Sequence, residues 1–151
     1  KSVHDLGIPD PNHYDAFMLG LYGMMMAETG GKKAYLIGTS NVDGEVDDFT
    51  LKHELTHAMF YIDDDYKRAV LKTIERAPNE LQHALIDAMK EQNYPEKTAL
   101  DEINAYITTG EAGFFDCIKD QEGLDALRSS LRALHRDKFP KFIESVEDVD
   151  S

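Results

Sequence analysis

His53-Glu54-Leu55-Thr56-His57 is the stretch on which the reading of this chain turns. Two histidines four residues apart on a helix project from nearly the same face, one turn apart. Their imidazoles can close on one Zn²⁺ at about 2.0–2.1 Å per bond. Glu54 lies about 100° around the helix from His53. It is badly placed to ligate beside that histidine and well placed to reach a water on the open side of the metal. A carboxylate next to such a water is the equipment of a hydrolase. The string is short, and roughly 2 in 100 shuffles of this composition would contain one. Its surroundings strengthen it. Leu51, Leu55, Ala58, Met59 and Ile62 form an apolar stripe at helical spacing, and Asp47, Asp48 and Thr50 offer an N-terminal capping cluster. Together they predict a buried, one-face-apolar helix from about Phe49 to Ile62, a rigid platform for ligands.

Outward from this helix the chain reads as mostly helical. Residues 13–28 predict a helix with Phe17, Leu21, Met24 and Met25 on one side, closed by Gly30-Gly31. The Met24-Met25-Met26 triplet is expected to fill core space rather than bind a soft metal. Ala34-Tyr35-Leu36-Ile37 predicts a short strand, and Asp43-Gly44 a tight hairpin with a weak strand near Glu45-Val46. Further helices are expected at about 65–76, from Pro78 to about Gln92, at about 96–108 and at about 122–136. Residues 1–12 and the acidic tail from Phe142 read as irregular.

A catalytic zinc site needs a third protein ligand and an open fourth position. Asp63 falls where the longer H-E-x-x-H-x-x-G-x-x-[HD] pattern places its last ligand, but Phe60 stands in place of the glycine that breaks the helix. If the helix continues, residue 63 is rotated about 280° from His53. Glu102 is the stronger candidate. It lies in Asp101-Glu102-Ile103-Asn104-Ala105-Tyr106, where Leu100, Ile103 and Ile107 make a core stripe. Glu102, Ala105 and Tyr106 make a partly polar stripe beside it. His83 and Asp87 form another conceivable pair, expected at the surface, and Glu80, Glu91, Glu96 and Glu111 are lesser candidates. Asp101, Asp47 or Asp48 would serve as carboxylate partners of the ligating histidines. The remaining histidines, His4, His13 and His135, are expected at the surface.

With these residues the chain resembles a zincin, and among zincins the gluzincin branch of thermolysin-type metallopeptidases, as a minimal catalytic core. The resemblance covers about residues 13–109: a backing helix, the Ala34–Ile37 strand, the H-E-L-T-H helix and the later helix with Glu102. It implies an α+β, predominantly helical fold with a small sheet next to the H-E-x-x-H helix. It implies His53, His57 and Glu102 as zinc ligands and Glu54 as general base. The family often has an aspartate four residues after its glutamate and an asparagine before it; here Tyr106 and Asp101 occupy those positions. The implied activity is hydrolysis of peptide or protein substrates. Zinc lowers the pKa of a bound water towards about 7, and Glu54 takes the proton and passes it to the leaving amine. Tyr106, Tyr61 and His135 are candidates for a second donor to the oxyanion, and the Ala34–Ile37 strand for pairing with substrate backbone.

Size and composition bound the rest. A chain of 151 residues, 42% hydrophobic, is expected to form one domain over 1–151. The longest apolar stretch, Ala16 to Ala27, is too short to span a bilayer. Flanked by Asp15 and Glu28, it reads as a buried amphipathic helix in a soluble protein. The net charge of −13, from 16 basic and 29 acidic residues, argues against nucleic acid as a partner. It suits either a well-solvated surface or a preference for cationic substrates. Cys117, the single cysteine, excludes an intramolecular disulfide and a multi-thiolate zinc site. Beginning at Lys1 rather than Met, the chain is expected to be a processed or trimmed product, with any targeting segment before it out of view. Two rival readings stand beside the peptidase: a zinc-binding zincin-fold module without hydrolysis, and a metal-free helical interaction domain. Glu54 speaks against the first rival, since a structural site needs no general base.

Overall fold

The computed structural model describes residues 13–38, 41–42, 45–110 and 113–139. The expectations for residues 1–12, His4 included, for the Asp43-Gly44 turn, for Glu111 and for the acidic tail lie outside them, as does the His13 side chain. Two units are distinct, residues 1–35 and 36–151. The first contains α1 (His13–Glu28), closed by Gly30 and Gly31, whose positive φ of 62° and 79° ends the helix. Its described side chains are exposed or half-buried, with Phe17 at 63% and Met24 at 60% exposure. Within this unit the burial expected for the helix and its methionines is not found.

The second unit is helical. Its helices are α2 (Asp48–Ile62), α3 (Asp64–Glu75), α4 (Asn79–Glu91), α5 (Glu96–Thr109) and α6 (Gln121–Lys138). The helix starts follow from local chemistry. Asp47 caps α2 by accepting from the backbone N–H of Phe49 and Thr50 and from the Thr50 hydroxyl. Pro78 and Pro95, which have no N–H to leave unsatisfied, precede α4 and α5. Gly110, at φ 78°, ends α5.

The expected α+β class with a small sheet is overturned: the fold is all-helical. Ala34–Ile37 is not a strand, and Tyr35 and Leu36 are exposed. A run of four apolar residues makes a strand only when a neighbouring strand satisfies its backbone. Among the described residues the one antiparallel pairing joins Asn41–Val42 to Glu45–Val46, two residues a side and too short to form a layer.

α5 is the hub. It packs on α2, α4 and α6, while α3 bridges α2 and α6. Tyr66, Val70, Leu81, Leu85, Met89, Ile103, Ile107, Leu124 and Leu131 form a continuous buried core. The α2·α5 contact brings the H-E-L-T-H stretch against Asp101–Tyr106. Ala105, three residues after Glu102, is fully buried. No helix of the described residues is long and apolar enough to cross a membrane.

Candidate metal centre

α2 buries Thr56, His57, Ala58, Met59 and Phe60, while Ile62 of the expected stripe is exposed. The burial of Phe60 decides the fate of Asp63. Anchored through Phe60, α2 runs straight to Ile62 and cannot swing residue 63 back. Asp63 instead ends α2 and caps α3, accepting from the N–H of Asp65 and Tyr66 at 2.9 and 2.8 Å. It is not near the histidines as a ligand.

Glu102 is. Among the described residues, His53, His57 and Glu102 form the one group of three or more His, Cys, Asp or Glu side chains able to share a cation. The two Nε2 atoms are 3.1 Å apart, and Glu102 Oε2 lies 3.7 Å from His53 Nε2 and 3.4 Å from His57 Nε2. A tetrahedral zinc with bonds of about 2.0–2.1 Å holds its ligand atoms about 3.3–3.4 Å apart. The circle through these three atoms has a radius of about 2.0 Å, one metal–ligand bond. His53, His57 and Glu102 are thus the residues that would hold such a cation.

The partners of the imidazoles differ. His57 Nδ1 lies 3.0 Å from Asp101 Oδ1, an ionic contact oblique to the ring N–H. This contact turns Nε2 toward the other two ligand atoms. Asp47 caps the helix and Asp48 pairs with Lys52, so neither of the other carboxylate candidates is needed. His53 Nδ1 is buried without a hydrogen-bond partner. Its ring is held by packing instead, edge-on to Tyr106 at 4.5 Å between centroids.

Charge is concentrated here. Burial alone would lower the His57 pKa, but Asp101 and Glu102 outweigh it and push it up to about 10. Burial alone would raise that of Glu102, but the two imidazoles beside it hold it down at about 2. A protonated His57 can donate its Nε2–H to His53 Nε2, so a proton occupies the place where a cation would lie between the rings.

The site opens on a cleft of about 300 Å³ lined by Phe49, Thr50, His53, Glu54, His57, Tyr94, Glu102 and Tyr106. Glu54 faces this space. Of the three oxyanion-donor candidates, Tyr106 lines the cleft. Tyr61 is half exposed and is not among the lining residues, and His135 is buried between Tyr66 and Phe139, contrary to the surface position expected for it. Tyr106 is stacked on Phe114 at 3.8 Å between ring centroids, and its hydroxyl is 2.6 Å from that of Tyr94. Tyr94 was not legible as a site residue. It follows Asn93, which takes the left-handed conformation at φ 64° while the Tyr94 N–H bonds back to Met89 O. That helix-closing motif sets its position. The Asn-Tyr-Pro sequence at 93–95 was the available signal. His83 and Asp87 lie exposed on α4, with Asp87 paired to Lys90; Glu80, Glu91 and Glu96 are likewise exposed.

Compared with known protein families, characterised proteins and solved structures, the chain matches none.

Proposed function

We propose that the chain is a zinc-dependent metallopeptidase, with His53, His57 and Glu102 as ligands and Glu54 as general base. The observation that carries this reading is the triangle of ligand atoms, sized for one zinc, in the same cleft as a carboxylate outside that triangle. Zinc at this position would supply a Lewis acid that polarises a peptide carbonyl and acidifies a water.

The residues of the chain supply the rest. Asp101 fixes the His57 ring through its contact with Nδ1. Glu54, on the wall of the cleft, accepts the proton of the attacking water and returns it to the departing amine. The Tyr106 hydroxyl, aligned by its Phe114 stack and its contact with Tyr94, donates to the carbonyl oxygen as negative charge builds on it. Phe49, Tyr94 and Tyr106 contribute aromatic rings to the wall of the cleft. With no sheet edge at Ala34–Ile37, substrate backbone pairing with that segment is not part of the proposal.

The test is a comparison of parent and Glu54→Gln protein, both analysed for metal and both incubated with a mixed peptide library. Equal zinc content with cleavage by the parent alone supports the reading. Equal cleavage by both removes Glu54 from the chemistry, and zinc uptake with no cleavage by the parent favours a binding module instead.

A further inference from the structure

Behind the candidate ligands the core is not purely apolar. One turn beyond Asp101 and Glu102, α5 buries Asn104 completely, and Thr108 almost so. Asn104 Oδ1 accepts from the Tyr66 hydroxyl of α3 at 3.3 Å and from the Thr108 hydroxyl at 3.4 Å. Tyr66 has no exposed surface, and its ring is flanked edge-on by His135 and Phe139 at 6.1 and 5.5 Å. Burial pushes the phenol up to about 12, so it stays a neutral donor at physiological pH. The network is only half satisfied, because Asn104 Nδ2 has no partner. A half-satisfied buried amide weakens a core that a leucine would fill. Its presence calls for a role other than stability.

The geometry supplies one. Asn104 is three residues after Asp101 and two after Glu102, so whatever fixes its side chain fixes the rotation of α5 about its axis. A rotation of about 20° moves an atom roughly 6 Å from the axis by roughly 2 Å, a whole metal–ligand bond. Apolar packing tolerates such a slip more easily than a directional hydrogen bond does. The bond runs to α3, which follows the ligand helix α2 after the single joint residue Asp63. It therefore ties the helix carrying Glu102 to the segment continuous with His53 and His57.

We propose that Tyr66, Asn104 and Thr108 form a positioning network that sets the rotation of α5 and so aims Asp101 and Glu102 at the two histidines. This rests on the metal-site reading above. The experiment measures zinc affinity, by competition with a chromophoric chelator, and the melting temperature of the zinc-free protein. It compares the parent with Asn104→Leu and Tyr66→Phe. Asn104→Leu is expected to keep or raise the zinc-free melting temperature while weakening zinc about tenfold, the lower end for changes behind a ligand shell. Tyr66→Phe is expected to weaken zinc in the same direction. Affinities within twofold of the parent in both variants overturn the inference and leave the metal reading intact. Melting temperature falling in step with affinity marks general loosening, and also overturns it. If Asn104→Leu does not fold, Tyr66→Phe, which keeps the buried ring, decides. A parent that takes up no zinc overturns the metal reading and this inference with it.

Discussion

Zinc loading should be tied to the proton on His57, and the tie has a definite sign. In the zinc-free protein that imidazole titrates near 10 because Asp101 and Glu102 hold its proton. A raised pKa contributes stability that is fully present below the unfolded value of 6.5 and is lost as the pH rises through about 10. Glu102, held down at about 2, contributes stability present above 4.5 and lost as the pH falls through about 2. Zinc must take the Nε2 lone pair that the proton occupies, so loading at neutral pH releases about one proton from His57. Apparent zinc affinity then rises about tenfold per pH unit, or about 1.4 kcal/mol, between pH 6 and 8. At a fixed excess of free zinc, the gap in melting temperature between loaded and zinc-free protein should widen by about 3–6 °C per pH unit. Calorimetry in two buffers of different ionisation enthalpy counts the protons, and melting curves at pH 6, 7 and 8 give the gap. A gap independent of pH, with no proton released, would refute the reasoning, because it would mean that the ring is already neutral or takes no part in binding.

Other outcomes follow from single substitutions. Glu54→Gln should retain zinc and melting temperature and lose about 10²–10⁴-fold in peptide hydrolysis, read by mass spectrometry of cleavage products. His57→Ala should abolish zinc uptake in metal analysis. It should also destabilise the zinc-free fold by about 3–5 kcal/mol in urea unfolding, since Asp101 and Glu102 lose the positive charge between them. Asp63→Ala should cost about 1 kcal/mol, the loss of a helix cap, and leave zinc affinity unchanged. A large loss of affinity there would return Asp63 to the ligand set.

The helices were legible because their signals are local. Apolar residues three and four apart, prolines ahead of α4 and α5 and glycines behind α1 and α5 placed each helix to within about two residues. Glu102 was singled out for a related reason: it shares a stripe with the small residue Ala105, which is fully buried, and the structure places it beside His53 and His57. The strand at Ala34–Ile37 failed because β-structure depends on a distant partner that no local pattern reveals. His135 was placed at the surface, although it stands four residues after Leu131 on the same face of α6 as Leu124 and Leu127, and that spacing marked it as core. α1 carries apolar residues almost all round, so its run of side chains pointed to no particular face. The sequence offers Asp101 as one of three carboxylate partners, with Asp47 and Asp48. Choosing it needed the rotation of α5 against α2, which only the packed structure supplies.

The most direct test is a crystal of the protein grown with zinc, with diffraction recorded on both sides of the zinc absorption edge. The expected result is one anomalous peak within about 2.0–2.2 Å of His53 Nε2, His57 Nε2 and a Glu102 oxygen, with a fourth position open to the cleft beside Glu54. A map with no peak there, or one that turns the two imidazoles away from each other, would contradict the claim that α2 and α5 build a zinc site.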